Sequence, residues 1–471
     1  MAEWCASNLR NCDGWKTAGL PLTTTSDENA RLLDAAIRQL VSMTDCAAQD
    51  GFEKTCERLE TSDPQGIMSR AFLIGLAALS GKEASRDSVF SRKMDKLEVD
   101  AEKFGNEREK AHVKAALLWG RGQHHKAGAA WDAILDDHPT DLIALRFAHD
   151  AHFFNGSAPL ILGSIEKVIE KWRPDMPCYS FVHGMHAFGL EENGKYAAAE
   201  HAAQTALRLN RFDCWASHAT AHAMEMTGRH REGKEFMYRT EDDWKKGWML
   251  STHNYWHTAL FHIEHAEYES ALSIFDREVG HRFNRTNMLL DMTDASSLLW
   301  RLELEGVDVG AHRWRRIKRL GEHIDNHSIV FNDVHIGLAL YRQEDFEAEK
   351  TLRDSLHAYS RRTATRDEDN ARISASIGLP LYDGMLEYAR GEYDRAVETM
   401  FPIRERVVRI GGSHAQRDLF AQTLIQASIL STRPEHWRLA PQLLAERESV
   451  KVNSDLGRRM ADKYRIVHSA A

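Results

Sequence analysis

The chain has 471 residues, with 70 Asp and Glu against 61 Lys and Arg, for a formal net charge of −9 and a pI near 6.3. That length allows two to four ordinary domains or one long repeat array, and the acidic balance gives no electrostatic footprint for a nucleic-acid partner. No run of about 18 apolar residues occurs, which excludes a membrane span, and only ten prolines in a chain rich in Ala, Leu, Glu, Lys and Arg favour helices joined by short turns.

The N-terminus, Met1-Ala-Glu-Trp-Cys5, lacks a basic start followed by an apolar run, so no signal peptide is expected. The cysteines at 5, 12, 46, 56, 178 and 214 form no Cys-x-x-Cys pair, which points to reduced thiols and a cytoplasmic protein. Ser26-Asp-Glu reads as an N-cap with an acidic first turn, opening a helix that carries Leu32, Leu33, Ile37 and Leu40. Residues 1–110 read as an N-terminal helical cap without a repeat motif.

From residue 111 a motif recurs, in which a turn glycine is followed two positions later by an aromatic or His and then by a small residue. Gly122-Gln-His124-His-Lys-Ala127, Gly194-Lys-Tyr196-Ala-Ala-Ala199, Gly228-Arg-His230-Arg-Glu-Gly233, Ala266-Glu-Tyr268-Glu-Ser-Ala271 and Gly391-Glu-Tyr393-Asp-Arg-Ala396 carry it. Gly156 and Gly306 fill the gaps, giving steps of 34, 38, 34, 38 and 40 residues from Gly122 to Gly306. Glycine ends the first helix without a Cβ clash, the aromatic packs into the turn, and the small residue lets the second helix cross closely. A helix-turn-helix unit of this length resembles the tetratricopeptide repeat.

The array spans 111–360, and its basic stretch, His312-Arg-Trp-Arg-Arg-Ile-Lys-Arg319, reads as a solvated face. Charged residues 361–370 read as an exposed loop or irregular joint, and 361–471 as a last repeat followed by a helical cap. The expected fold is all-α: a right-handed superhelical array of helical hairpins, curled enough to enclose a central pocket.

Five tracts resemble one family within the repeat superfamily, tetratricopeptide repeat protein 38. They are Gly19-Leu-Pro-Leu-Thr-Thr-Thr-Ser26, His138-Pro-Thr-Asp-Leu-Ile-Ala-Leu-Arg-Phe-Ala-His-Asp-Ala151, His253-Asn-Tyr-Trp-His257, Phe331-Asn-Asp-Val-His335 and Gly411-Gly-Ser-His-Ala-Gln-Arg-Asp418. The resemblance covers almost the whole chain and implies the fold; it brings no established activity. It also implies that His414 is not an essential ligand, because family members usually carry Asn there.

In such repeats the groove-lining positions fall about 13, 10, 6 and 3 residues before the turn glycine. Counting back from Gly228 gives His218, His222 and Glu225; counting back from Ala266 gives His253 at 13 and His257 at 9. His-x-x-x-His places two imidazoles on one helix face, and two such pairs with a carboxylate are a ligand set for zinc, iron, manganese or nickel. Glu225 is the candidate ligand or general base. Asn254 and Trp300 are expected to line the pocket, with Asp333 and His335 as further ligands or groups orienting an imidazole. Against this stand a polar groove for a peptide or small anion, and structural hydrogen bonding, because 15 of the 25 histidines fall between 124 and 265. His124 and His230 occupy the aromatic turn slot, and His149, His152, His183 and His186 read as packing or surface.

The expectation is therefore a pocket holding a divalent transition metal, in an enzyme acting on a small polar metabolite. The alternative is a non-catalytic scaffold that binds a partner peptide in its groove. A scaffold groove that grips peptide carboxylates is typically lined by Lys, Arg and Asn; here the lining is His, Glu, Asn and Trp.

Overall fold

The computed structural model describes residues 2–364 and 367–468. These residues are all-α, with no strand among them. They divide into two compact units: residues 1–216 with 246–248 and 365–369, and residues 217–245, 249–364 and 370–471. Compactness thus divides the chain at 216/217, inside the stretch that carries the repeat motif.

In the first unit, α1 (Asp27–Ser42) starts where Ser26 accepts a hydrogen bond from the Asn29 amide, and it buries Leu32, Leu33, Ile37 and Leu40. α2 (Ile67–Leu79) packs on α3 (Glu107–Gly120), which opens with a capping box between Asn106 and Glu109. Three antiparallel pairings follow: α3 with α4 (His124–Asp137), α5 (Leu142–Phe154) with α6 (Ala158–Glu166), and α7 (Tyr179–Glu192) with α8 (Tyr196–Leu209).

The second unit begins inside α9 (Cys214–Met226) and continues with α10 (His230–Trp244), α11 (Met249–Glu264) and α12 (Tyr268–Ile274). A π-helical turn at Phe275–Val279 leads into α13 (Gly280–Thr286). Then come α14 (Leu289–Leu304), α15 (Val330–Arg342), α16 (Phe346–Ser360), α17 (Leu379–Ala389) and α18 (Tyr393–Met400). Of the charged segment 361–370, Arg361–Ala364 form a 3-10 turn and residues 365 and 366 lie outside the described residues.

The hairpin turns share one backbone solution. Gly122, Gly156, Gly194, Gly228, Gly306 and Gly391 all have φ between 64° and 82°, the left-handed region where a side chain is strained. The next amide then bonds back across the turn, as in Gln123 N–H to Leu118 O at 2.9 Å and Glu392 N–H to Glu387 O at 2.9 Å. Ala266 and Glu344 hold the same position at φ 56° and 63°, so the turn persists where glycine is missing. The aromatic slot works as its chemistry implies: His124 stacks on Trp119 with ring centres 4.1 Å apart. The small slot is also tight, because a Cβ on Gly233 would come within 2.4 Å of the Phe261 ring.

The three long helices near the C-terminal end, α19 (His414–Leu430), α20 (Ala440–Val450) and α21 (Asp455–Val467), do not simply extend the series. α19 packs on α14, α17 and α18, while α21 returns to α11. With α11, α15 and α19 all against it, α14 is buried on every side from Asp291 to Leu302. The polar residues in that stretch must therefore find partners inside the protein, which creates the setting for the site.

Candidate metal centre

His218 and His222 lie one turn apart on α9, and His253 and His257 one turn apart on α11. Neighbouring repeat units bring the two faces together. One ring nitrogen from each lies within 4.8 Å of all the others, and the four residues are buried. Ring centres are 4.3 Å apart for His222 and His257, 4.4 Å for His218 and His222, and 5.0 Å for His218 and His253. Imidazole nitrogens bound at about 2.0–2.1 Å to one ion are at most about 4.2 Å apart, so the cluster could hold a metal after a small inward movement.

Two carboxylates set the tautomers. Glu225 Oε2 accepts from His257 Nδ1 at 2.9 Å, and both oxygens of Asp294 on α14 lie 2.9 Å from His253 Nδ1. A carboxylate only accepts, so the proton sits on Nδ1 and the lone pair on Nε2 faces away from the carboxylate. In His257 that Nε2 is buried and has no hydrogen-bond partner. Burial, and then the neighbouring His222, hold the His257 imidazole neutral with a pKa well below its usual value. A neutral imidazole with one oriented, unused nitrogen is the metal-binding form, and a carboxylate behind it is the usual support.

Behind Glu225 stands a buried charge network. Lys451 donates to Glu225 Oε1 at 2.9 Å and lies 3.0 Å from Glu264 Oε1, while Arg447 makes a two-pronged pair with Asp418 at 2.7 and 2.9 Å. Burial alone would raise the pKa of Glu225, but Lys451 and His257 outweigh it and hold the carboxyl well below its ordinary range. Both oxygens of Glu225 are thus engaged, one by an imidazole and one by an ammonium. This places it behind the imidazole, where it steadies His257, rather than where a general base would meet a bound water.

The other expected residues are distributed differently. Asn254 is fully buried, and neither its amide oxygen nor its amide nitrogen has a hydrogen-bond partner. Trp300 donates to Thr423 Oγ1 at 3.0 Å and packs on Tyr388, so α19 and α17 cover it. Asp333 bonds His327 Nδ1 at 2.8 Å. His335 Nδ1 donates to Phe331 O at 2.8 Å and the ring packs against Phe420, with burial pushing its pKa down to about 4. Trp300 and His335 are therefore covered by the chain's own α19, while Asp333 is taken up by His327.

Two contributors, Asp294 and Lys451, were not singled out from the sequence, whereas Trp256, between the two histidines of its segment, reads from it as an aromatic that could wall a pocket or pack as core. Trp256 stacks on His253 at 4.9 Å and 12° and donates to Ser297 Oγ at 2.9 Å. Counting back from Gly306 puts Trp300 in register, whereas the residues that meet α11 are Asp294 and Ser297. Trp300 faces Thr423 and Tyr388 on one side of α14, while Asp294 and Ser297 face His253 and Trp256 on another. Lys451 has no local signal, since its partnership depends on where α20 and α21 return.

No family model matches the chain. Among solved structures it is similar to a human IFIT1 dimer with m7Gppp-AAAA and to a human IFIT1 dimer with PPP-AAAA. Each has 12% identity over 100% of both chains and a TM-score of 0.35. A monomeric IFIT1 mutant with Gppp-AAAA follows at 11% identity over 99% of each chain and a TM-score of 0.33. The oligonucleotides are ligands of the proteins in those structures, and the expectation of no nucleic-acid partner, drawn here from net charge alone, is not upheld. Net charge averages over the whole surface and does not speak for one local patch. Among the described residues, no helix is long and apolar enough to cross a membrane.

Proposed function

We propose that the second unit carries a mononuclear metal centre held by His218, His222, His253 and His257, and that the protein is a metal-dependent enzyme acting on a small polar metabolite. The observation that carries this reading is His257, with Nδ1 fixed by Glu225 and Nε2 buried without a partner among three further imidazoles. Four imidazole nitrogens suit a divalent first-row ion such as zinc, iron, manganese or nickel. Such an ion would supply Lewis acidity in a dry site. Glu225 and Asp294 orient imidazoles, and Trp256 walls the centre beside His253. A reducing, cytoplasmic setting belongs to the same reading, in keeping with six free cysteines. So does membership of the tetratricopeptide repeat protein 38 family, on the five tracts that resemble it.

The test is elemental analysis of protein purified without a polyhistidine tag, beside a folded His218→Ala, His257→Ala double variant. Near-stoichiometric metal in the parent, lost in the variant, is the expected result. No metal in either, even after reconstitution with zinc, manganese and ferrous iron, would rule the reading out. The helical-hairpin repeats favour a second reading, a non-catalytic interaction scaffold. It would be supported by a metal-free parent that retains a saturable binding partner.

A further inference from the structure

Three side chains of the second unit form a hydrogen-bonded chain in the order nucleophile, base, carboxylate. His327, just ahead of α15, places Nδ1 2.8 Å from Asp333 Oδ1 and Nε2 2.8 Å from Ser355 Oγ on α16. The carboxylate only accepts, so the ring proton sits on Nδ1 and the Nε2 lone pair accepts from the Ser355 hydroxyl. That is the tautomer a general base needs, since Nε2 can take the hydroxyl proton while Asp333 offsets the charge that forms on the ring.

The base is held from several sides. His327 and Asp333 are buried, and the His327 ring stacks on Tyr359 with centres 5.2 Å apart and 27° between the planes. Asn370 donates from Nδ2 to His327 O at 2.7 Å and accepts the Val330 amide on Oδ1 at 3.1 Å, which ties His327 to the start of α15. His327 itself has φ 43°, a left-handed conformation that a side chain of this size keeps only where its surroundings impose it. Ser355 is placed differently. It is half-buried, at the boundary between the inner face of α16, with Leu352 and Leu356, and the exposed Thr351 and Asp354. The base and its carboxylate are thus shielded from water, while the serine stands at the edge of solvent, where an acyl carbon can approach.

We propose that Ser355 is a histidine-activated nucleophile that accepts acyl groups from activated esters and thioesters, with His327 as its general base and Asp333 as the residue that positions the ring. Ser355 Oγ bonds to the carbonyl carbon as its proton passes to His327 Nε2. The bond from that carbon to the leaving oxygen or sulfur then breaks, and the leaving atom takes the proton from Nε2. Water, giving its proton to the same nitrogen, cleaves the acyl-serine to a carboxylic acid and free Ser355. The Ser355 amide lies within α16, where the helix ladder uses it, so it does not hold the oxyanion. Leaving that charge to water forgoes about 100- to 1,000-fold in rate, which confines the substrates to acyl groups on good leaving groups. This chemistry is independent of the metal centre.

The test treats the full chain with p-nitrophenyl acetate and follows nitrophenolate release. Acetyl groups are then mapped by peptide mass spectrometry before and after neutral hydroxylamine, which removes acetyl from serine but not from lysine. Expected is a hydroxylamine-sensitive acetyl on Ser355, absent in Ser355→Ala and formed at least about tenfold more slowly in His327→Gln and in Asp333→Asn. Melting curves identify the variants that fold. Because a change at buried His327 or Asp333 can cost stability, Ser355→Cys serves as a second probe that leaves the pair intact. An ordinary thiol is alkylated by iodoacetamide about 80-fold more slowly at pH 6 than at pH 8, following its thiolate fraction. The thiol introduced by Ser355→Cys, held as thiolate by the imidazole, should react at nearly equal rates at the two pH values, and adding Asp333→Asn should restore the steep dependence. Acetyl on lysines alone, an equal Ser355 rate in a folded His327→Gln, or an ordinary pH dependence of the introduced thiol would overturn the proposal and show that the three residues only join α15 to α16.

Discussion

A neutral imidazole has one N–H and one lone pair, and at His257 the Glu225 carboxylate decides which nitrogen has which. Glu225→Ala should therefore leave the four histidines in place yet weaken metal affinity by about 10- to 100-fold. Competition against a chromophoric chelator measures this, and unchanged affinity would remove Glu225 from the centre. Glu264 supplies a pH-dependent term. Burial opposes its charge, but Lys451, His230 and Arg447 lower its pKa from 4.5 to about 2 in the folded chain. The stabilisation is fully present above pH 4.5, where the unfolded group is also ionised. It is lost as pH falls from there through about 2, a change on the order of 3 kcal/mol. Urea unfolding at pH 6, 4 and 3 should thus show a shallower acid loss in Glu264→Gln than in the parent. Equal slopes would mean that the carboxylate does not carry the effect.

At the scale of elements, the repeat turn and its tight crossing make opposite predictions about added and removed atoms. Ala266 has φ 56° where six other turns use glycine. Ala266→Gly should relieve the left-handed penalty and raise unfolding stability by about 1 kcal/mol, a gain that chemical denaturation can resolve. Gly233 is the reverse case, since an added methyl meets Phe261 at 2.4 Å and must push α10 from α11. Gly233→Ala should cost about 1–3 kcal/mol and, because α11 carries His253 and His257, also weaken metal binding. The turn glycines, the aromatic slot and the His-x-x-x-His faces were legible in the sequence because each depends on residues within one hairpin. The partners of α14 were not, since counting back from the turn finds the side that carries Trp300 and says nothing of the side that brings Asp294 and Ser297 to α11.

For the molecule as a whole, the site belongs to elements far apart in the chain, so occupancy and stability should be linked. With free metal at about 100 times its Kd, binding to the folded chain alone adds about 2.7 kcal/mol. Added metal should raise the melting temperature and the amide-exchange protection of residues 217–264 and 440–467 together. Protection confined to α9 and α11 would show that α20 and α21 are not coupled to the centre. Local spacing is enough to determine helical hairpins and to put two histidines on one face of each of two adjacent helices, because helix periodicity and turn conformation are set within about 40 residues. Only the tertiary structure decided what stands behind those histidines. Asp294 arrives from the side of α14 that packs on α11, and Lys451 through the return of α20 and α21, some 226 residues beyond its partner Glu225. Helix α19, likewise remote in sequence, covers Trp300 and His335. Such pairings are selected by the cost of burying charge in three dimensions, and helix periodicity carries no record of that cost.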